Sequence, residues 1–150
     1  MIQVRCNVRG VFVAMGDSAT VPVVLLSDGS ERILPIFIGI WEAIAINSAK
    51  NKEVTPRPFT HDLFLDLLMK FSITLRSLQI DSIEDGVFYA KLVLCSDHHE
   101  EYVDCRPSDG IALALRGDVP IFVEDTVFTS AGQKMEDLPP IIDLSTFLKK

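Results

Sequence analysis

The segment from Val21 to Ile38 constrains this chain most. Two apolar runs, Val21 to Leu26 and Arg32 to Ile38, flank Ser27-Asp28-Gly29-Ser30. An Asp-Gly pair between such runs marks a tight β-hairpin, because the turn needs positive backbone φ, which glycine adopts without steric cost. The same device recurs downstream. Ile73 to Ile83 reads as a strand, Glu84-Asp85-Gly86 as a turn, and Val87 to Cys95 alternates sides as a second strand. Hairpins make antiparallel neighbours, so the sheet should be mixed or largely antiparallel, with helices packed on it, an α+β fold.

The remaining elements fit that frame. Ile2 to Ala14 alternates at first, with Ile2, Val4, Cys6 and Val8 on one face, and Gly16-Asp17-Ser18 turns the chain. Gly39 ends the first hairpin, and a helix is expected at about Ile40 to Lys50. Thr60 is expected to cap a second helix, His61 to Phe71, whose apolar stripe is Leu63, Leu67 and Phe71, widened by Phe64 and Leu68. Ser96 to Glu101 reads as a polar loop, His98-His99-Glu100-Glu101 included, and Tyr102 to Cys105 as a short strand. Ser108 should cap a third helix, about Asp109 to Arg116, stopped by Gly117. Val119 to Val123 is a last short strand, Gly132 to Pro140 a loop, and Asp143 the cap of a terminal helix running to Lys149. Hairpin followed by helix occurs twice, at Val21 to Lys50 and at Val87 to Arg116.

With 150 residues the chain has the length of one domain, and residues 1–150 are read as such. No apolar run approaches the ~20 residues that span a bilayer, and Met1 to Cys6 lacks the pattern of a secretory leader. Cys6, Cys95 and Cys105 are odd in number and show no metal-binding spacing. Free thiols and a cytoplasmic location are therefore expected, without membrane association. A net charge of −7 argues against broad nucleic-acid binding. Hydrophobic content of 48% with several strand edges predicts a homodimer.

Polar chemistry gathers in two stretches, Arg57-Pro58-Phe59-Thr60-His61-Asp62 and Asp104-Cys105-Arg106-Pro107-Ser108-Asp109. Each is an Arg-Pro turn opening a helix, and the positive helix end attracts anions. His61 with Asp62 can bind a metal or transfer a proton, and Arg106 can fork two hydrogen bonds to a phosphate or carboxylate. Glu42, in the first turn of its helix, is a further carboxylate. The opposing reading is structural: Arg57 or Arg106 paired with Asp62, Asp104 or Asp109 as a lock between the two turns. The two turns are expected to lie side by side in the fold.

The order and spacing of several motifs resemble the bifunctional nuclease family over about Val21 to Val123. They are Leu34-Pro35-Ile36-Phe37-Ile38-Gly39 with Glu42-Ala43, Arg57-Pro58 with Thr60-His61-Asp62-Leu63, Phe88-Tyr89-Ala90, and Arg106-Pro107-Ser108-Asp109 with Ile111-Ala112-Leu113-Ala114. Pro120-Ile121 closes the pattern, leaving residues 124–150 as a C-terminal extension. The resemblance implies an α+β fold of its own type and hydrolysis of RNA and DNA. It makes His61, Asp62, Asp104 and Asp109 the candidate catalytic residues and Arg57, Thr60, Arg106 and Ser108 the candidate substrate contacts. In a metal-assisted version, magnesium or manganese would be held by Glu42, Asp62 and Asp109. The competing function is a non-catalytic binding protein in which the Arg-Pro turns are the lock. Two positions depart from the family pattern: Gly110, where Ala is usual, and Cys105, where a small residue is usual. Gly110 is expected to loosen the third helix by about 1 kcal/mol relative to Ala.

Overall fold

The computed structural model describes residues 2–149. Thirteen residues of alternating pattern form β1 (Gln3–Met15), which pairs antiparallel with β2 (Thr20–Ser27). The Asp-Gly hairpin then adds β3 (Ile33–Phe37). Helix α1 (Ile40–Lys50) and helix α2 (Thr60–Lys70) follow. β4 (Thr74–Glu84), β5 (Val87–Ser96) and β6 (His99–Cys105) form an antiparallel meander. Helix α3 (Pro107–Gly117) leads to β7 (Ile121–Glu124), which lies parallel to β4 and antiparallel to β1. The chain closes with α4 (Asp125–Ala131), a short 3-10 turn, β8 (Ile141–Asp143) against β1, and α5 (Leu144–Leu148). The strand order is β3-β2-β1-β7-β4-β5-β6, antiparallel throughout except for β4 and β7. The expected α+β architecture with a mostly antiparallel sheet is what forms.

β2 and β3 are apolar on both faces, and the packing explains why. Val24, Leu26, Leu34 and Ile36 enter the main core with α1 and α3, while Val23, Leu25 and Ile33 face a second cluster closed by Phe12, Leu138 and Ile141. The segment after residue 124 is part of this packing, since Val127, Phe128 and Leu144 belong to the main core. Arg32 fastens that segment to the first hairpin. It bonds Asp28 at 2.8 Å and Asp125 at 2.9 Å and lies over the Phe128 ring at 4.6 Å. Among the described residues, no helix is long and apolar enough to cross a membrane.

Several boundaries differ from the sequence reading. The polar loop at Ser96 to Glu101 shrinks to Asp97-His98, both at positive φ, and β6 begins at His99. α4 was not anticipated; Asp125-Thr126-Val127-Phe128 is too short a run to show helical periodicity. Gly117 lies inside α3, and Asp118, in the left-handed conformation, terminates it. Asp143 does cap α5, accepting from Ser145 N at 2.9 Å.

The stripe Leu63, Leu67 and Phe71 on α2 points outward; these side chains are exposed, while Phe64, Leu65 and Leu68 pack against the core. α2 buries no residue completely. An i, i+4, i+8 series identifies an apolar face but not its orientation. The inward face of α2 is the one that also carries His61 and Asp62, which have partners on α3.

Gly110 proves to be a packing requirement. A methyl group there would overlap the side chain of Leu78, which is fully buried on β4, and would approach Cys105 Sγ. The two departures from the family pattern therefore lie against each other. Gly110→Ala adds about 1 kcal/mol of helix propensity but overpacks the α3–β4 contact at a cost of roughly 1–3 kcal/mol. We expect a lower melting temperature, and recovery when Leu78→Val removes the colliding δ-methyl groups. A more stable single variant in thermal unfolding would show that Leu78 moves aside freely.

Candidate functional site

The chain brings the starts of α1, α2 and α3 together, and the polar residues in their first turns meet there. Pro107 occupies the first position of α3, where its missing N–H costs nothing and its fixed φ is helical. Arg106 is consequently the N-cap residue of α3, and Ser108 sits one turn position inside, not at the cap. Likewise Phe59 is the N-cap residue of α2, and Thr60 is its first residue, exposed to solvent. The cap contact of α2 comes from Asp62, whose Oδ2 accepts from Phe59 N at 2.9 Å.

His61 Nε2 lies 3.0 Å from Asp109 Oδ1, joining α2 to α3 across 48 residues of sequence. The two Arg-Pro turns thus lie side by side. Arg106 Nε donates to Asp109 Oδ2 at 2.8 Å and its Nη2 to Oδ1 at 3.2 Å. The same guanidinium stands 3.6 Å from Glu42 Oε2 at the start of α1. The Glu42 carboxylate folds back over Gly39, where any side chain would collide with it.

Asp109 is therefore held by a histidine and a forked arginine. Burial acts to raise its pKa, but the hydrogen bonds from Arg106 and His61 outweigh burial and hold it below the usual 3.8. The Asp109 hydrogen bond, reinforced by Glu42, binds the Arg106 proton more tightly than usual. Burial, with Asp104 and Asp109 nearby, pushes the Cys105 thiol up to about 12, so it stays protonated at neutral pH.

Other candidates separate from this cluster. Asp62 turns away to Arg116, whose Nε donates to Asp62 Oδ1 at 2.9 Å. Arg57 is exposed, and its carbonyl accepts from Thr55 Oγ1 at 2.6 Å. Asp104 is exposed at the end of β6, paired in register with Lys91. His99 meets Glu101 at 2.6 Å on the exposed edge strand, away from the helix starts.

The carboxylate trio expected to hold magnesium or manganese does not form a convergent donor set. Asp62 faces Arg116, while Arg106 stands against both Glu42 and Asp109. Among the described residues, no group of three or more His, Cys, Asp or Glu side chains is arranged to hold a metal ion. Residues engaged by arginine make poor cation ligands until the arginine leaves.

Arg116 is the participant that reading along the chain missed. Its side chain is 8% exposed; it donates to Ala112 O at 3.2 Å as well as to Asp62, and it lies over the Phe59 ring at 5.8 Å. A basic residue in the last turn of a helix usually serves only the helix dipole. Nothing local marks its partner 54 residues away.

Beside the cluster opens a pocket of about 480 Å³. Its walls come from the start of α1, the β4–β5 turn, and the junction of β6 with α3. The bifunctional nuclease domain model matches residues 23–136, which span β2 through α4 and the turn after it.

The chain belongs to the bifunctional nuclease domain family.

An uncharacterized protein of Mycobacterium tuberculosis is 40% identical over 132 residues, covering 87% of this chain and 79% of that protein. Bifunctional nuclease 2 of Oryza sativa subsp. japonica is 30% identical over 121 residues, 77% of this chain. Bifunctional nuclease 1 of the same plant is 27% identical over 121 residues, 79% of this chain. The chain spans only 37% of each of these two rice proteins.

Proposed function

We propose that this bifunctional nuclease domain hydrolyses phosphodiester bonds in RNA and DNA at the junction of α1, α2 and α3, with His61 as the proton-transferring group. The observation that carries the reading is the 3.0 Å contact between His61 Nε2 and Asp109 Oδ1. An ionised carboxylate only accepts hydrogen bonds, so Asp109 holds the proton of neutral His61 on Nε2 and leaves the Nδ1 lone pair free. A water molecule gives a proton to Nδ1 as its oxygen bonds to phosphorus. The ester P–O bond breaks, and the departing oxygen takes a proton from the imidazolium, restoring neutral His61. Arg106, with its side chain 63% exposed, supplies positive charge for the phosphoryl oxygens. No step here is routed through a metal: Glu42 and Asp109 face Arg106, and Asp62 faces Arg116.

The competing reading, a lock without catalysis, draws on the same ion pairs, since Arg106 is already matched by Asp109 and Glu42. His61→Ala separates the two. Catalysis requires loss of cleavage of a labelled oligonucleotide by about 10²–10⁴-fold, with circular dichroism unchanged. Undiminished cleavage by a folded His61→Ala variant would exclude His61 as the proton-transferring group, and no cleavage by the parent chain would favour the lock.

A further inference from the structure

Helix α2 is apolar on both of its faces. Phe64, Leu65 and Leu68 pack against the core, while Leu63, Leu67 and Met69 on the helix and Phe71 at its C-cap are 59%, 54%, 73% and 69% exposed. A helix that is hydrophobic all round is normally covered on every side, and a contiguous exposed apolar patch marks an interaction surface. Leu63, Leu67 and Phe71 follow one another at four-residue spacing and so form one ridge. His61 and Asp62 turn to α3 instead, so the ridge is separate from the site at the helix starts.

Two charges stand beside the ridge. Asp66 and Lys70 are both exposed and pair within the helix at 3.6 Å. An exposed pair of this kind contributes little, so its partners can be exchanged at small cost. Being of opposite sign and one turn apart, the two charges make the face self-complementary. In a parallel pairing of two copies, Asp66 would fall level with Asp66 and Lys70 with Lys70. In an antiparallel pairing about a two-fold axis level with residues 67–68, Asp66 of each copy falls level with Lys70 of the other. Leu67 then lies near the axis, and Leu63 approaches the Phe71 end of the second copy. An anionic membrane surface fits less well, because α2 carries a single lysine and the chain a net charge of −7.

We propose that the outward face of α2 is an interface between two copies of this chain, packed antiparallel about Leu67. The inference goes beyond the hydrolysis reading and does not depend on it. One face of an 11-residue helix, roughly 16 Å long, buries less than the ~800 Å² per partner of a standard interface, so the dimer is weak, dissociating on the order of 10 μM.

Sedimentation equilibrium with the full chain tests this, over concentrations about tenfold to either side of that constant. The average mass should rise from 16.7 kDa toward twice that value. Leu67→Glu brings like charges together near the axis and should weaken association about tenfold or more, with circular dichroism unchanged. Asp66→Lys and Lys70→Asp should each be largely monomeric alone, since either face then carries one sign of charge. Mixed in equal amounts, the two variants should form a heterodimer at least as tight as the parent dimer. A parent chain that stays at 16.7 kDa at the highest concentration, a dimer indifferent to Leu67→Glu, or a mixture no more associated than its components would overturn the inference. A monomeric parent that binds anionic lipid vesicles in a Leu67-dependent way would give the face to a membrane and overturn it likewise.

Discussion

Asp109→Asn is expected to remove most of the proposed hydrolytic activity while leaving the fold intact. An asparagine amide can turn its NH₂ toward His61 Nε2, which then favours the tautomer with the proton on Nδ1 and abolishes the free base. A comparable carboxylate-to-amide change beside a catalytic histidine of a serine protease costs about 10⁴-fold. Because Asp109 acts through His61, the double variant with His61→Ala should be no worse than the more damaging single variant. Multiplicative losses in single-turnover cleavage would mean that the two residues act separately. Asp109→Ala would in addition strand Arg106, so its melting temperature should fall further than that of Asp109→Asn.

The same carboxylate predicts how acid affects stability. The pKa of Asp109 in the folded chain lies below its ordinary value. Its contribution is therefore present above the ordinary pKa of 3.8 and is lost as pH falls through the lowered one. Asp28 behaves alike. Burial opposes ionisation there, but hydrogen bonds from Ser30 and Arg32 prevail and hold it at about 2. Melting temperature should hold as pH descends toward 4 and then fall between about 4 and 2. Asp28→Asn should flatten part of that decline; an unaltered profile would dismiss the Arg32 pairing as a source of stability.

Arg116→Ala should give the largest loss of stability among the polar variants. Breaking a fully buried ion pair costs about 3–5 kcal/mol; because Asp62 is 41% exposed, the loss here should be nearer 2 kcal/mol. At ~2–4 °C per kcal/mol for a domain of this size, the melting temperature should drop by roughly 4–8 °C. α2 has no completely buried residue, so its position depends on this arginine more than a core helix would. Cleavage should fall with it, because His61 sits one residue before Asp62. Arg116→Lys should recover little, since an ammonium cannot reproduce the paired contacts to Asp62 and Ala112 O. A stability within 0.5 kcal/mol of the parent would show that α2 is held by Phe64, Leu65 and Leu68 alone.

Expected self-association is a separate matter from these effects. The exposed Leu63, Leu67 and Phe71 are an apolar face at α2 and its C-terminal end. Their outward orientation means that Leu67→Ala should leave the melting temperature of the monomer nearly unchanged, unlike substitution of buried Leu78.

Local signals determined much of the architecture. The Asp-Gly hairpin, the bounds of α1, the Glu84-Asp85-Gly86 turn and the Asp143 cap each depend on residues within a few positions of one another. Turn chemistry and side-chain alternation are properties of adjacent residues, so the chain states them directly. The motifs also placed His61 and Asp109 at the starts of their helices. Their meeting was an expectation that only the β4–β5–β6 meander and its crossover to α3 could realise, since it closes 48 residues of chain. The orientation of α2, the pairing of Asp62 with Arg116 and the overlap of Gly110 with Leu78 were decided in the same way. Each is a contact between elements remote in sequence, where the choice among similar faces is made by the shape and charge of the surface they pack against.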